Sequence, residues 1–168
     1  MYQMTDQEEL DMILRGHHSE IMAFIAENYF SEKAETALIK RGNHDEIMKY
    51  VCAYSLSDKA EVALIKRQNQ EEILAYIASH PFSDNADTEL IRSGCHETIM
   101  AYLKKWPLGH SAGVLLVARG NHDEIMTCIK HPFWDVSHKN LSSKLAFMII
   151  NRGNEEEIGM LRHLGKWY

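Results

Sequence analysis

The chain has 168 residues, of which 45 % are hydrophobic and 25 % charged, and this composition is typical of a folded, soluble domain with its own core. No apolar run approaches the roughly 20 residues that a membrane-spanning helix needs, so we expect no membrane partner. The net charge of −6 disfavours binding to a phosphate backbone and favours a protein partner.

The N-terminal segment and the cysteines indicate the cellular compartment in which we expect the protein. The first ten residues, MYQMTDQEEL, lack the basic and apolar segments of a secretion signal. Cys52, Cys95 and Cys128 have neither paired nor C-x-x-C spacing, which argues against a disulfide framework and against a zinc ribbon. We therefore expect a cytoplasmic protein with reduced thiols, no bound metal and no cofactor.

A repeat of 26 residues organises the chain. The segment RGNHDEIM occurs twice, starting at Arg41 and Arg119, and related segments start at residues 15, 67 and 93. A sixth, RGNEEEIG, starts at Arg152, 33 residues after the fifth. A fixed period of this kind is the signature of an array of stacked helical units.

Each repeat predicts two short helices. The chain begins with one of them, TDQEELDMILR, and ends with the other, EEEIGMLRHLGKWY. Residues 57–67 exemplify the first kind of helix: Ser57 supplies an N-cap oxygen, and charges that suit the helix dipole occupy both ends. Helices of about ten residues are not stable alone in water, so each must be held by its neighbours.

The segment RGNHDEIM forms the joint between the two helices. Gly42 supplies the left-handed residue that ends the first helix, and Asn43 caps the second with Glu46 at capping-box spacing. The apolar residues of 44–54 recur at helical intervals, with Met48 at the edge of the stripe. We interpret the segment as a building part of the repeat and not as an active site.

Equivalent positions of successive repeats form continuous apolar ladders. One ladder consists of isoleucines: Ile21, Ile47, Ile73, Ile99, Ile125 and Ile158. A second contains Leu38, Leu64, Leu90, Leu116 and Ile149, and a third contains the small residues Ala34, Ala60, Ala86 and Ala112. Small residues allow two helix layers to approach closely. We predict an all-α, two-layer α-α superhelix (solenoid) of about twelve short helices in six repeats, forming one domain over 1–168 with an irregular insertion at 131–140.

This pattern resembles the short-unit bacterial α-solenoids and is similar to HEAT-type and leucine-rich-variant repeats. The resemblance covers the whole chain and rests on the general pattern of paired helices. The unit is shorter than a HEAT pair and lacks its proline and aspartate landmarks. The resemblance implies a curved binding scaffold, and no catalytic residue carries over from it.

Aromatic residues are the first candidates for binding. Four recur with the repeat at the edge of the apolar stripe, where a ring can pack inward while a hydroxyl reaches solvent: Phe24, Tyr50, Tyr76 and Tyr102. Such a row either lines a groove for a partner or belongs to the boundary of the core. In the insertion, Phe133 and Trp134 either cover the edge of the stack or contact a partner.

Charged residues form further rows. His18, His44, His96 and His122 fall in the first turns of equivalent helices, and we interpret them as solvent-exposed, since Gln70 interrupts the series and structural zinc needs four ligands. An arginine ridge contains Arg15, Arg41, Arg67, Arg119 and Arg152, and an acidic row contains Glu9, Glu35, Glu61 and Asp87. The arginines either contact an acidic peptide or a phosphate backbone, or serve as helix-end charges neutralised by Glu46, Glu72 and Glu124.

These observations favour a non-enzymatic scaffold that binds a protein or peptide. The alternative is a HEAT-like nucleic-acid-binding solenoid that uses the arginine ridge. Catalytic motifs such as G-x-S-x-G and H-E-x-x-H are absent from the sequence, and a third hypothesis, an enzyme, would rest on His138 and Asp135 of the insertion. The apolar residues Met12, Ile13 and Leu14 of the first helix are compatible with a homodimer.

Overall fold

The structure, a computed structural model, describes residues 4–132 and 139–164, and for 139–143 the backbone alone. In these ranges all regular secondary structure is helical, with twelve helices. They are α1 (Asp6–Arg15), α2 (His18–Ile25), α3 (Glu32–Arg41), α4 (His44–Ala53), α5 (Asp58–Lys66), α6 (Gln70–Ile77), α7 (Asp84–Ser93), α8 (His96–Leu103), α9 (His110–Arg119), α10 (His122–Lys130), α11 (Lys139–Arg152) and α12 (Glu155–His163). The predicted all-α fold is confirmed. Every one of these described helices falls short of the length and apolar character that crossing a bilayer demands.

The chain divides into two compact units, residues 1–82 with α1 to α6 and residues 83–168 with α7 to α12. In the first unit, α3 packs against α1 and α5, and α4 packs against α2 and α6. In the second unit, α9 packs against α7 and α11, and α10 packs against α8 and α12. Each unit thus has an odd-helix layer and an even-helix layer, as predicted for a helical repeat. The single domain over 1–168 stays a prediction.

The predicted ladders form the core. The first five isoleucines are at most 2 % exposed, and the leucine and alanine ladders are buried throughout. Ile158 differs, since it is only partly buried on α12 while Leu161 fills the core there. In the described part of the chain, α12 has a neighbour in its own layer on one side only, α10, which leaves one flank of the helix open.

The joint between the paired helices follows the expected geometry in most respects. Gly42 has a φ of 83°, in the left-handed region, and Gly120 and Gly153 repeat it. The side-chain oxygen of Asn43 accepts a hydrogen bond from the Glu46 backbone N–H at 3.2 Å. The reciprocal half of the predicted capping box is not made in α4, because the Glu46 carboxylate turns to His18 and Arg41 instead.

The starts of α3 and α5 are held by the preceding repeat. Ser57 has the extended backbone of an N-cap, but its buried hydroxyl oxygen has no hydrogen-bond partner among the described residues, so the predicted cap bond is wrong. Its backbone N–H donates instead to Glu35 at 2.9 Å. Ser31 donates in the same way to Glu9 at 2.7 Å. A carboxylate from the preceding repeat therefore anchors the chain where the helix begins.

The insertion predicted at 131–140 is described only at its ends. His131 caps α10 and is buried, whereas Phe133, Trp134, Asp135 and His138 lie outside the described residues. Helix α11 begins at Lys139, so it includes the last two residues of the predicted insertion. Its 14 residues make it longer than the other odd-layer helices.

Candidate functional site

A buried carboxylate joins successive repeats. Glu72 is fully buried, and its carboxylate accepts hydrogen bonds from Arg67 Nε at 2.9 Å and from Arg67 Nη2 at 3.1 Å. His44 Nδ1, from the preceding repeat, lies 3.0 Å from the same carboxylate. Arg67 also donates to the backbone carbonyls of Ile39 and Gly42. One arginine thus bonds both a carboxylate of its own repeat and the main chain of the preceding repeat.

The same arrangement recurs in both units, with histidine-to-carboxylate distances of 2.9–3.0 Å. The further sets are His18 with Glu46 and Arg41, His96 with Glu124 and Arg119, and His122 with Glu157 and Arg152. These arginines also donate to carbonyls of the preceding repeat, at Ile13 and Gly16, at Ile91, and at Val117 and Gly120. Of the predicted ridge, only Arg15 lies outside these sets, exposed at the end of α1. The ridge therefore serves the joints between repeats, where its donors are already used.

The histidines are partly exposed, but each contacts the next repeat. Their side chains are between 37 % and 48 % exposed, so the expectation of solvent exposure holds only in part. His44 Nε2 also lies 3.6 Å from Glu71, and His122 Nε2 lies 3.2 Å from Glu156. The hydrogen bonds to Glu72 and Glu157 raise the pKa of His44 and of His122 above 6.5. Among the described residues, no group of three or more His, Cys, Asp and Glu side chains is placed to hold a metal ion.

The tyrosine row lies in the core. Tyr76 is 1 % exposed, and its hydroxyl donates to Glu61 at 2.7 Å and accepts from the Leu56 backbone N–H at 3.1 Å. Tyr50 is fully buried and donates to Glu35 at 2.9 Å. The expectation that these hydroxyls reach solvent is wrong, because carboxylates of the predicted acidic row turn inward to receive them. Burial raises the pKa of both phenols.

The remaining residues of the aromatic and acidic rows are also buried or partly buried. Tyr102 is 1 % exposed, and Glu35, Glu61 and Asp87 are buried, so the acidic row is not a surface ridge. Phe24 is partly buried and its ring stacks on Phe30, with 4.9 Å between the ring centroids. A partner on the surface of this fold would not touch the three tyrosine rings.

An apolar row does reach the surface of the even-helix layer in the first unit. Met22, Met48 and Leu74 are partly exposed, and they occupy the same position on α2, α4 and α6. Because these helices pack side by side, their side chains form one line across the layer, which we call the methionine row. Neighbouring helices pack about 8–10 Å apart, so the row spans roughly 16–20 Å.

The two edges of the methionine row differ in chemistry. Asp45 and Glu71 are exposed and precede Met48 and Leu74 by three residues, which places them one turn away on the same helix face. The exposed positions four residues after the row members are small: Ala26, Cys52 and Ala78. The row is therefore an apolar line with two carboxylates along one edge and small exposed residues along the other.

The second unit has a shorter row of partly exposed apolar residues at the equivalent positions. Met100 is partly exposed on α8, but Met126, at the equivalent place on α10, is only 6 % exposed. The Thr127 hydroxyl donates to the Met100 sulfur at 3.7 Å. The first unit thus offers the longer accessible row.

Comparison with known proteins adds no relative: no protein-family model, no curated protein and no solved structure matches this chain. The methionine row was visible in the sequence only as the edge residue Met48 of an apolar stripe. Its repetition at residues 22, 48, 74, 100 and 126 was the signal that could have identified it, since edge positions of a short helix tolerate polar residues.

Proposed function

We propose that this protein is a non-enzymatic helical-repeat scaffold that binds a protein or peptide segment across the methionine row. The observation that carries the proposal is the alignment of three partly exposed apolar side chains on adjacent helices. Methionine is flexible and polarisable, which suits a surface that adapts to another chain. Stacked repeats commonly use an extended face of this kind for binding.

The residues along the edges of the methionine row indicate which kind of segment would bind there. A segment lying across α2, α4 and α6 would place apolar side chains about 8–10 Å apart to match the row. Asp45 and Glu71 favour basic residues beside these anchors, because complementary charge speeds association and fixes orientation. The proposed partner segment is therefore apolar and basic.

The alternative of nucleic-acid binding through the arginine ridge gains no support from the geometry. Arg41, Arg67, Arg119 and Arg152 already bond buried carboxylates and backbone carbonyls, so contact with phosphates would break the joints. The proposal includes a cytoplasmic location, which the three free thiols favour.

Fluorescence anisotropy with labelled peptides of about 12 residues tests this function, since such a length spans the row when extended. One peptide carries leucines flanked by lysines, a second has glutamates instead of lysines, and a third has serines instead of leucines. We expect saturable binding of the lysine peptide, weakened by about tenfold or more in the Met48→Gln, Leu74→Gln variant, whereas the serine peptide should not bind and this variant should not alter any binding of the glutamate peptide.

The matched control is Val62→Gln, a partly exposed apolar position on the odd-helix layer. Unchanged helicity by circular dichroism would show that each variant is folded. The proposal fails if the lysine peptide does not bind, or if the variant at Met48 and Leu74 binds it as the wild type does.

A further inference from the structure

The odd-helix layer of the first unit carries a cluster of lysines. Lys33 and Lys40 on α3, and Lys59 and Lys66 on α5, are all exposed. The two lysines of each helix are seven residues apart, or about 10 Å along the axis on one face. Because α3 packs against α5, the four lysines lie on neighbouring helices of one layer, and we call them the lysine patch.

A groove runs along the lysine patch. It has a volume of about 300 Å³, and Leu10, Thr36 and Ala37 contribute to its floor. Lys33, Lys40 and Lys59 line the same groove, together with Glu32. The volume is at the lower end of the range of about 300–1,000 Å³ for ligand clefts. The groove thus combines an apolar floor with a basic rim.

Most of the positive charge in the lysine patch is uncompensated. Lys59 pairs with Glu32 at 2.5 Å, and this hydrogen bond raises the pKa of the lysine. Among the described residues, Lys33, Lys40 and Lys66 have no carboxylate partner. In a chain with a net charge of −6, the unpaired Lys33 and Lys40 beside the groove, with Lys66 on the neighbouring helix α5, form a local site for negative charge.

The architecture does not require lysines at these positions. In the second unit the equivalents of Lys33 and Lys59 are Asn85 and Ser111. The equivalents of Lys40 and Lys66 are Arg92, which pairs with Glu89 at 3.0 Å, and Ala118. The lysine patch is therefore not repeated on α7 and α9, although Lys40 and Lys66 also place positive charge in the last turns of their helices, where it suits the helix dipole.

We propose that the lysine patch and its groove bind an acidic peptide segment, with carboxylates about 10 Å apart on the lysines and a small apolar side chain in the groove. The amino groups supply point charges without a fixed geometry, which suits carboxylates on a flexible chain. A phosphate backbone fits less well, because it has no apolar side chain to place on the floor of the groove. This site is separate from the methionine row, which lies on the other helix layer.

Fluorescence anisotropy of the full chain tests the lysine patch. The probes are a labelled peptide of about 12 residues with glutamates around central leucines, the same peptide with glutamines for glutamates, and a labelled DNA duplex of about 20 base pairs. We expect the glutamate peptide to bind, and its affinity to decrease as the salt concentration rises from about 50 to about 200 mM. The Lys33→Gln, Lys40→Gln, Lys66→Gln variant should lose about tenfold or more in affinity.

Two further variants separate the outcomes. Lys104→Gln, Lys130→Gln removes two exposed lysines of the second unit and should leave binding unchanged. The Met48→Gln, Leu74→Gln variant should also bind the glutamate peptide with unchanged affinity. Loss of binding to the methionine row can therefore be distinguished from loss of binding to the lysine patch. The inference is overturned if the glutamate peptide does not bind at low salt, if the lysine-patch variant binds it equally, or if the DNA duplex binds more tightly.

Discussion

His44 Nδ1 lies 3.0 Å from the buried carboxylate of Glu72, which is 28 residues further along the chain. The contact joins one repeat to the next, and Arg67 forms an ion pair with the same carboxylate. Because the carboxylate is fully buried, it needs hydrogen-bond donors from the protein, and the Asn69 side-chain amide supplies a further one at 3.2 Å. The stability of the stack is therefore tied to side chains that an isolated repeat leaves without partners.

The pH dependence of stability follows from the histidines. Hydrogen bonds to Glu72 and Glu157 raise the pKa of His44 and His122 in the folded state above 6.5, so folding favours the protonated rings. This contribution is complete below pH 6.5 and is lost as pH rises through the raised value. We expect the free energy of unfolding in urea to decrease between about pH 6 and pH 8. A His44→Gln, His122→Gln variant should show a smaller decrease, and an identical pH profile would contradict the assignment.

Removing the arginine of one joint should lower the free energy of unfolding. Arg67→Ala leaves the buried Glu72 carboxylate with His44 and the Asn69 side-chain amide, and breaking a buried pair in this way costs about 3–5 kcal/mol. The double variant Arg67→Met, Glu72→Leu should recover part of the loss, because it removes the buried charge as well. Urea unfolding followed by circular dichroism measures both. The control is Arg92→Ala, where an exposed arginine pairs with Glu89 and about 1 kcal/mol or less is expected.

The buried phenol offers a second test of the core. Tyr76→Phe removes the hydroxyl that bonds Glu61 and the Leu56 backbone N–H, and leaves both groups buried without it. We expect a loss of about 1–3 kcal/mol in the free energy of unfolding. Tyr29→Phe is the comparison, since Tyr29 is 72 % exposed and its change should cost about 0.5 kcal/mol or less. Equal effects of the two substitutions would mean that the Tyr76 hydroxyl is not buried as described.

Asp87 should oppose folding at high pH. Burial raises its pKa from 3.8 to about 7, although the Gly109 backbone N–H donates to it at 2.7 Å. The folded state therefore holds a proton that the unfolded state releases, so stability decreases as pH rises from about 4 through 7. Asp87→Asn keeps an acceptor for Gly109 without the charge, and should be about 1–3 kcal/mol more stable than the wild type at about pH 8. Thermal unfolding at about pH 5 and pH 8 measures this, and a gain of equal size at both values would refute the proton linkage.

Much of the fold could be predicted because its signals are local and periodic. The glycine at position 42 and the asparagine at position 43 determine a turn through their own backbone preferences and side-chain reach. The recurrence of isoleucines and leucines every 26 residues places them on one face of each helix. Helix bounds, layer membership and the buried ladders followed from these signals with few errors.

The destinations of the polar side chains could not be predicted in the same way. Glu61 and Glu72 read as surface charges, since acidic residues are almost never fully buried unless they are paired. Their partners lie in other helices, with Tyr76 15 residues from Glu61 and His44 28 residues from Glu72. The same uncertainty placed the tyrosine hydroxyls in solvent and left two interpretations of the arginine ridge, of which the structure shows the pairing with Glu46, Glu72 and Glu124.

The sequence alone determined the repeat, the helices and the apolar ladders of this protein, because each depends on residues within one turn or one period. Only the tertiary structure decided which charges are buried and which reach solvent. That choice depends on how closely the next repeat packs, since a carboxylate enters the core only where a neighbouring helix delivers donors to it. The lysines of α3 and α5 remain exposed because, apart from Lys59 with Glu32, no described carboxylate reaches them.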